Sequence, residues 1–155
     1  MVRRTIVLVT LIMCMATVRG AAVSAPNIEG NLRGTELCPQ SWCGAAWFVA
    51  SFSGKVGRAH TSGVALAGIT YDFLPSDGET GTILGGTWSL QTSKGSFSGY
   101  VSQGTLTYNG DETYNVEMTM VLQDGGTGEL TFIGLLDHRP LDEGLPPTIT
   151  GTISQ

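Results

Sequence analysis

From Tyr114 to Leu122 every second residue is apolar. Tyr114, Val116, Met118, Met120 and Leu122 alternate with the polar Asn115, Glu117 and Thr119, the two-residue period of a strand with one face in a core. Asp124-Gly125-Gly126-Thr127-Gly128 then supplies residues that accept positive φ, and Leu130, Phe132 and Leu136 resume the alternation beyond it. This stretch predicts an antiparallel hairpin buried on one face.

The rest of the chain repeats the pattern in shorter runs. Asn27 to Leu37, with Ile28, Leu32 and Leu37 among Gly30 and Gly34, predicts a first strand kinked by glycine, and Pro39 to Ser41 a turn. Trp42 to Val56 is apolar at nearly every even position, and Trp47 and Val49 add apolar side chains on the other face. Gly57 to Ser62 reads as a loop carrying Arg58 and His60. In Val64 to Phe73 neither face is clearly polar. After a turn cluster at Leu74 to Gly81, Thr82 to Thr92 predicts a strand with Leu84, Gly86, Trp88 and Leu90 inward. The apolar parity between Val101 and Leu106 shifts, which implies a bulge near Gln103-Gly104 or two short strands. Asn109-Gly110-Asp111-Glu112 is a hairpin turn, Asp137 to Pro147 a polar loop, and Thr148 to Ser154 a last strand with Ile149 and Ile153 inward. The expectation is all-β: a single antiparallel domain of about eight strands with no evident helix. Phe52-Ser53-Gly54 recurs as Phe97-Ser98-Gly99 and Phe132-Ile133-Gly134. An inward Phe two residues before a glycine suits a strongly coiled wall, which favours a barrel over a sandwich.

The first 24 residues stand outside this pattern. Arg3 and Arg4 precede an apolar run from Thr5 to Val18, and small residues follow at Gly20, Ala21, Ala22, Ser24 and Ala25. This is the layout of a secretory signal peptide over 1–24, with the β-domain over 25–155. The apolar run is shorter than the roughly 20 residues that span a bilayer. Losing Arg3, Arg4 and Arg19 leaves five basic residues against 13 acidic ones. So acidic a surface repels phosphate backbones, and nucleic acid is not an expected partner; nor is a stable membrane span. Cys38 and Cys43 form an even pair in an exported chain, expected as a disulfide around Pro39-Gln40-Ser41-Trp42. The chain-entropy model assigns a ring this small about 2 kcal/mol.

Candidate chemistry is sparse. Asp137-His138-Arg139 is the one dense polar cluster; His138 could act as a base and Arg139 hold an anion. Neighbouring residues at a strand end point apart, so Asp137 is not placed to orient His138, and no second carboxylate can be set opposite. Solvation of a loop is the plainer reading. The Asp-Gly turns lack the alternating register of a calcium loop, and no phosphate-binding glycine motif opens a helix. No catalytic residue, metal site or cofactor is assigned. Trp42, Trp47, Phe48, Tyr71, Phe73, Trp88 and Tyr100 cannot all face one core, because Trp47 and Tyr100 have the opposite parity. A solvent-side Trp suits a sugar ring or a protein partner; otherwise these strands are covered by the first segment or by another subunit. The residues expected to contact a ligand or partner are Trp47, Tyr71, Trp88, Tyr100, His138 and Arg139.

Ile83-Leu84-Gly85-Gly86-Thr87-Trp88 followed by Gly95-Ser96-Phe97-Ser98-Gly99 resembles the G-G-T and G-x-F-x-G segment of the dirigent and allene oxide cyclase barrels. It covers about a tenth of the chain. The resemblance implies an eight-stranded barrel with an apolar cavity; no acidic residue of this sequence matches one of that cavity. Three readings follow. The first is an exported non-enzymatic β-domain, structural or binding a small apolar ligand. The alternatives are a surface module for protein or carbohydrate, self-association included, and a dirigent-like or cyclase-like barrel enzyme.

Overall fold

Eight antiparallel strands close into one barrel in the computed structural model, which describes residues 25–76 and 78–155. They are β1 (Ile28–Cys38), β2 (Ala46–Val56), β3 (Ala59–Tyr71), β4 (Thr80–Thr92), β5 (Gly95–Tyr108), β6 (Thr113–Asp124), β7 (Gly128–Asp137) and β8 (Thr148–Ser154). Each strand pairs with its neighbours in sequence, and β8 returns to β1 with Leu32 opposite Gly151. The barrel form of the expected all-β domain is therefore the observed one. The expected leader over 1–24 lies outside the described residues, as does Asp77.

Alternation places the core. Tyr114, Val116, Met118, Met120 and Leu122 of β6 are all buried, as are Leu130, Phe132 and Leu136 of β7. The Phe-x-Gly repeat has the expected cause at two of its three copies. A Cβ at Gly54 or Gly30 would run into the Phe52 ring, and one at Gly134 or Gly151 into that of Phe132. At Gly99 the obstacle is the Val121 backbone of β6 instead. On β6 and β8 the apolar side chains face inward while Thr, Ser, Asn and Glu predominate outside, the reverse of a membrane-spanning strand. Among the described residues no helix is long and apolar enough to cross a membrane.

A bulge accounts for one inward assignment that fails. The register between β3 and β4 shifts at Thr70/Tyr71, opposite Gly85 with φ +155°, so Ile83 turns inward and Leu84 stands out, 63% exposed. On β1 the alternation that starts at Ile28 runs on to Glu36, which is inside, and leaves Leu37 outside at the bulge between Glu36 and Cys38. The bulge expected near Gln103 is present, as a shift between Val101 and Gln103. Trp42 is not in a strand: Gln40–Cys43 forms a single helical turn, α1, ended by Gly44 at φ +74°, and the Trp42 side chain is 84% exposed. The expected Cys38–Cys43 disulfide spans α1 with its Cα atoms 6.1 Å apart. His60 lies within β3 rather than in a loop, and Phe73 lies beyond the end of β3 and is exposed. Trp47, Val64 and Leu66 of β2 and β3 face outward and are exposed among the described residues. The polar loop after β7 contains a 3-10 turn, Arg139–Glu143.

Candidate functional site

At the lower end tight turns join β2 to β3, β4 to β5 and β6 to β7; at the upper end the connections are longer. The upper connections are α1 and the segments following β3, β5 and β7, and the strand ends beside them carry the titratable groups of the site. Glu36 is the last inward residue of β1 before its bulge. Its side chain is only 3% exposed, and its backbone N–H donates to the Pro147 carbonyl at 3.0 Å, tying β1 to the segment that enters β8. His138 follows Asp137 at the top of β7. Its backbone N–H donates to the Glu112 carbonyl at 2.9 Å, and its own carbonyl accepts from Leu141 as the 3-10 turn starts. Glu112 sits in the left-handed region, φ +61°, and its N–H donates to the Tyr108 hydroxyl at 3.2 Å. Thus the β5–β6 turn holds His138 from one side.

The two side chains meet. His138 Nε2 lies 3.3 Å from Glu36 Oε2, but off the line of an N–H···O hydrogen bond, so the buried nitrogen has a carboxylate neighbour and no aligned acceptor among the described residues. Among the described residues the Glu36 carboxylate makes no hydrogen bond, and His138 is its one ionic contact. The Tyr114 ring meets the imidazole edge-on at 5.1 Å and Tyr108 at 5.3 Å. Tyr71 closes the cluster from β3. Burial raises its phenol above the ordinary tyrosine value, helped by the negative charge of Glu36 and by Tyr114. Burial likewise raises Tyr114, with Tyr108 and Glu112 adding to it. Both phenols stay protonated near neutral pH and can donate hydrogen bonds. The Gln40 carboxamide of α1 fixes this rim by bonding both the N–H and the carbonyl of Tyr71, each at 2.8 Å.

Below the cluster lies a cavity of about 50 Å³, lined almost wholly by apolar side chains. Register sets the order along the axis: Leu32, which lines the cavity, is two inward steps below Glu36, and Leu136, which also lines it, is one step below His138. Ala50, Ala65 and Ala67 of β2 and β3 leave the space, facing Met118, Met120 and Phe132 across the barrel. Outside the pair, His138, Tyr108 and Tyr114 also line an open cleft of about 390 Å³ with Leu141 and Asp142.

The six contact residues expected from the sequence divide among three places. Tyr71 and His138 join at the mouth. Trp88 is buried and lines the cavity, its indole N–H without a partner. Trp47 and Tyr100 stand on the outer wall, half exposed. Arg139 is near the mouth but occupied: it binds Asp137 with two nitrogens, at 2.9 and 2.7 Å, and lies 3.7 Å from Asp111. Hydrogen bonds from Arg139 hold the Asp137 carboxyl below the usual range. Glu36 is the residue of this cluster that sequence reasoning missed. A carboxylate does stand opposite His138, on β1, although none could be placed there from the sequence. Among the described residues no three His, Cys, Asp or Glu side chains gather as a metal site. No protein-family model, curated protein or solved structure matches the chain.

Proposed function

We propose that the chain is an exported binding barrel that takes a small molecule with an apolar body and a cationic or hydrogen-bond-donating head. The body occupies the lumen among Ala67, Met118 and Met120, and the head meets Glu36. The observation that carries this reading is the Glu36 carboxylate, buried above the apolar cavity and without a hydrogen bond among the described residues. Leaving a buried polar group unsatisfied costs about 1–3 kcal/mol, more for a charge. A ligand donor at that position removes the cost. The cavity at rest admits only a few non-hydrogen atoms, so a larger ligand requires the unbranched Met118 and Met120 side chains to move, as thioethers do readily. Export is supported by the leader-like 1–24 segment and the Cys38–Cys43 disulfide.

The test uses two probes of equal chain length, n-butylamine and n-butanol. Met118 and Met120 are the only methionines after residue 24, so methyl NMR reports the lumen directly. Butylamine is expected to shift both signals saturably and to raise the melting temperature more than butanol does. Glu36→Gln should remove the preference for the amine, and Ala67→Leu should remove both responses. If neither probe saturates, or the preference survives Glu36→Gln, the reading fails.

A further inference from the structure

The outer wall carries a feature the mouth does not explain. Trp47 lies on the outward face of β2, and its register partner on β3 is Gly68. A Cβ built on Gly68 would stand 2.8, 2.9 and 2.9 Å from three consecutive carbons of the Trp47 six-membered ring. Near-equal distances to adjacent ring atoms arise only when that carbon sits above the ring rather than at its edge. The indole is therefore laid flat across Gly68, with one face on the barrel wall and the other outward, and it stays 43% exposed. Glycine is what lets the ring lie down, because any side chain at 68 would lift it.

Around the ring is a shallow depression of about 360 Å³ across β3 to β6, where Thr87, Ser89 and Gln123 supply hydroxyl and amide groups beside Leu66, while the Ser98 hydroxyl at its edge donates to Asp124 at 2.9 Å. None of the side chains lining the depression is charged. Tyr100 lies in the same cross-strand row as Trp47, Gly68 and Thr87. It stands three strand spacings from Trp47, or about 14 Å. We infer that this depression binds a neutral sugar ring, stacked on the free face of the Trp47 indole. A pyranose presents an apolar C–H face to an aromatic plane and hydroxyls around its rim, and the depression offers the matching plane and rim. The chain carries a formal charge of −5, which disfavours a polyanionic glycan. Self-association fits the patch less well. Its rim is made of hydroxyl and amide groups from Thr87, Ser89 and Gln123 rather than the continuous apolar centre of a self-association interface.

The test is affinity electrophoresis of the purified protein in gels containing soluble neutral polysaccharides (a β-glucan, a xylan, a galactomannan), with polygalacturonate as the charged control, beside sedimentation of the free protein. Retardation by at least one neutral polysaccharide is expected. Trp47→Ala should weaken it about tenfold, the equivalent of one lost stacking contact. Gly68→Ala, which keeps the indole but displaces it, should weaken it comparably, whereas His138→Asn should leave it unchanged. Thermal melting verifies that each variant is folded. Three results overturn the inference: no retardation by any neutral polysaccharide, retardation that survives Trp47→Ala, or a dimer that Trp47→Ala dissolves.

Discussion

The two ends of this barrel are closed by different means. At the lower end Ala25 packs against Gly126 and its N–H donates to Thr127 at 3.2 Å, Gly57 donates to Asn27 at 2.7 Å, and Phe97 fills the space beneath Gly95 and Gly125. Ile28 and Leu122 complete an apolar plug made of short turns and core side chains. At the upper end longer connections bring Glu36, His138, Tyr71, Tyr108 and Tyr114 together over a cavity, and the polar groups there are incompletely paired. Stability and chemistry are thus separated along one axis. The lower and middle layers are packed with core side chains, whereas the mouth keeps an incompletely paired carboxylate and imidazole.

The separation can be broken first where the expected effect is largest. Phe132 is almost wholly buried, and its ring lies over Gly134 and Gly151, neighbours with no side chain to refill the space. Phe132→Ala should cost about 3–5 kcal/mol, read as a lower midpoint in urea. A loss no larger than that of an exposed substitution would mean that the middle layer does not carry the fold. The counterpart at the mouth is the double change Glu36→Leu with His138→Phe, and it is expected to have the opposite sign. Replacing the buried pair by two apolar side chains should stabilise the barrel by roughly 1 kcal/mol, whereas Glu36→Leu alone strands the buried His138 Nε2. Destabilisation by the double change would make the pair structural and remove the contrast between the ends.

The same contrast governs what could be read from the sequence. The middle of the barrel was legible because alternation over β6 and β7 runs without interruption, and because a Phe next to an inward glycine leaves a pattern wherever the wall coils. The mouth was not. On β1 the inward parity set by Ile28 and Leu32 points to residue 36, but Leu37 is the more apolar of the two and masks it. Leu84 misleads in the same way beside Gly85. His138 was visible as chemistry, yet its partner is 102 positions earlier in the numbering, on a strand that meets it only once the barrel closes. Periodicity reports which way a side chain faces, and only closure reports what it faces.

The smallest effect concerns titration at the mouth. Tyr71 has its pKa raised in the folded protein, by burial first and then by Glu36 and Tyr114, so the folded state holds the proton more tightly than the unfolded chain does. Its contribution to stability is then complete below the unfolded tyrosine value, about 10, and is lost as the pH rises through the higher folded value. Because the ring is only half-buried, solvent screening keeps this slope shallow. Urea midpoints measured between about pH 8 and about pH 11 should fall at the alkaline end, and Tyr71→Phe should flatten part of that fall, the remainder belonging to Tyr114. A double variant with Phe at both positions that still loses stability above pH 10 as steeply as the parent would place the alkaline sensitivity elsewhere in the barrel and erase the electrostatic distinction between its two ends.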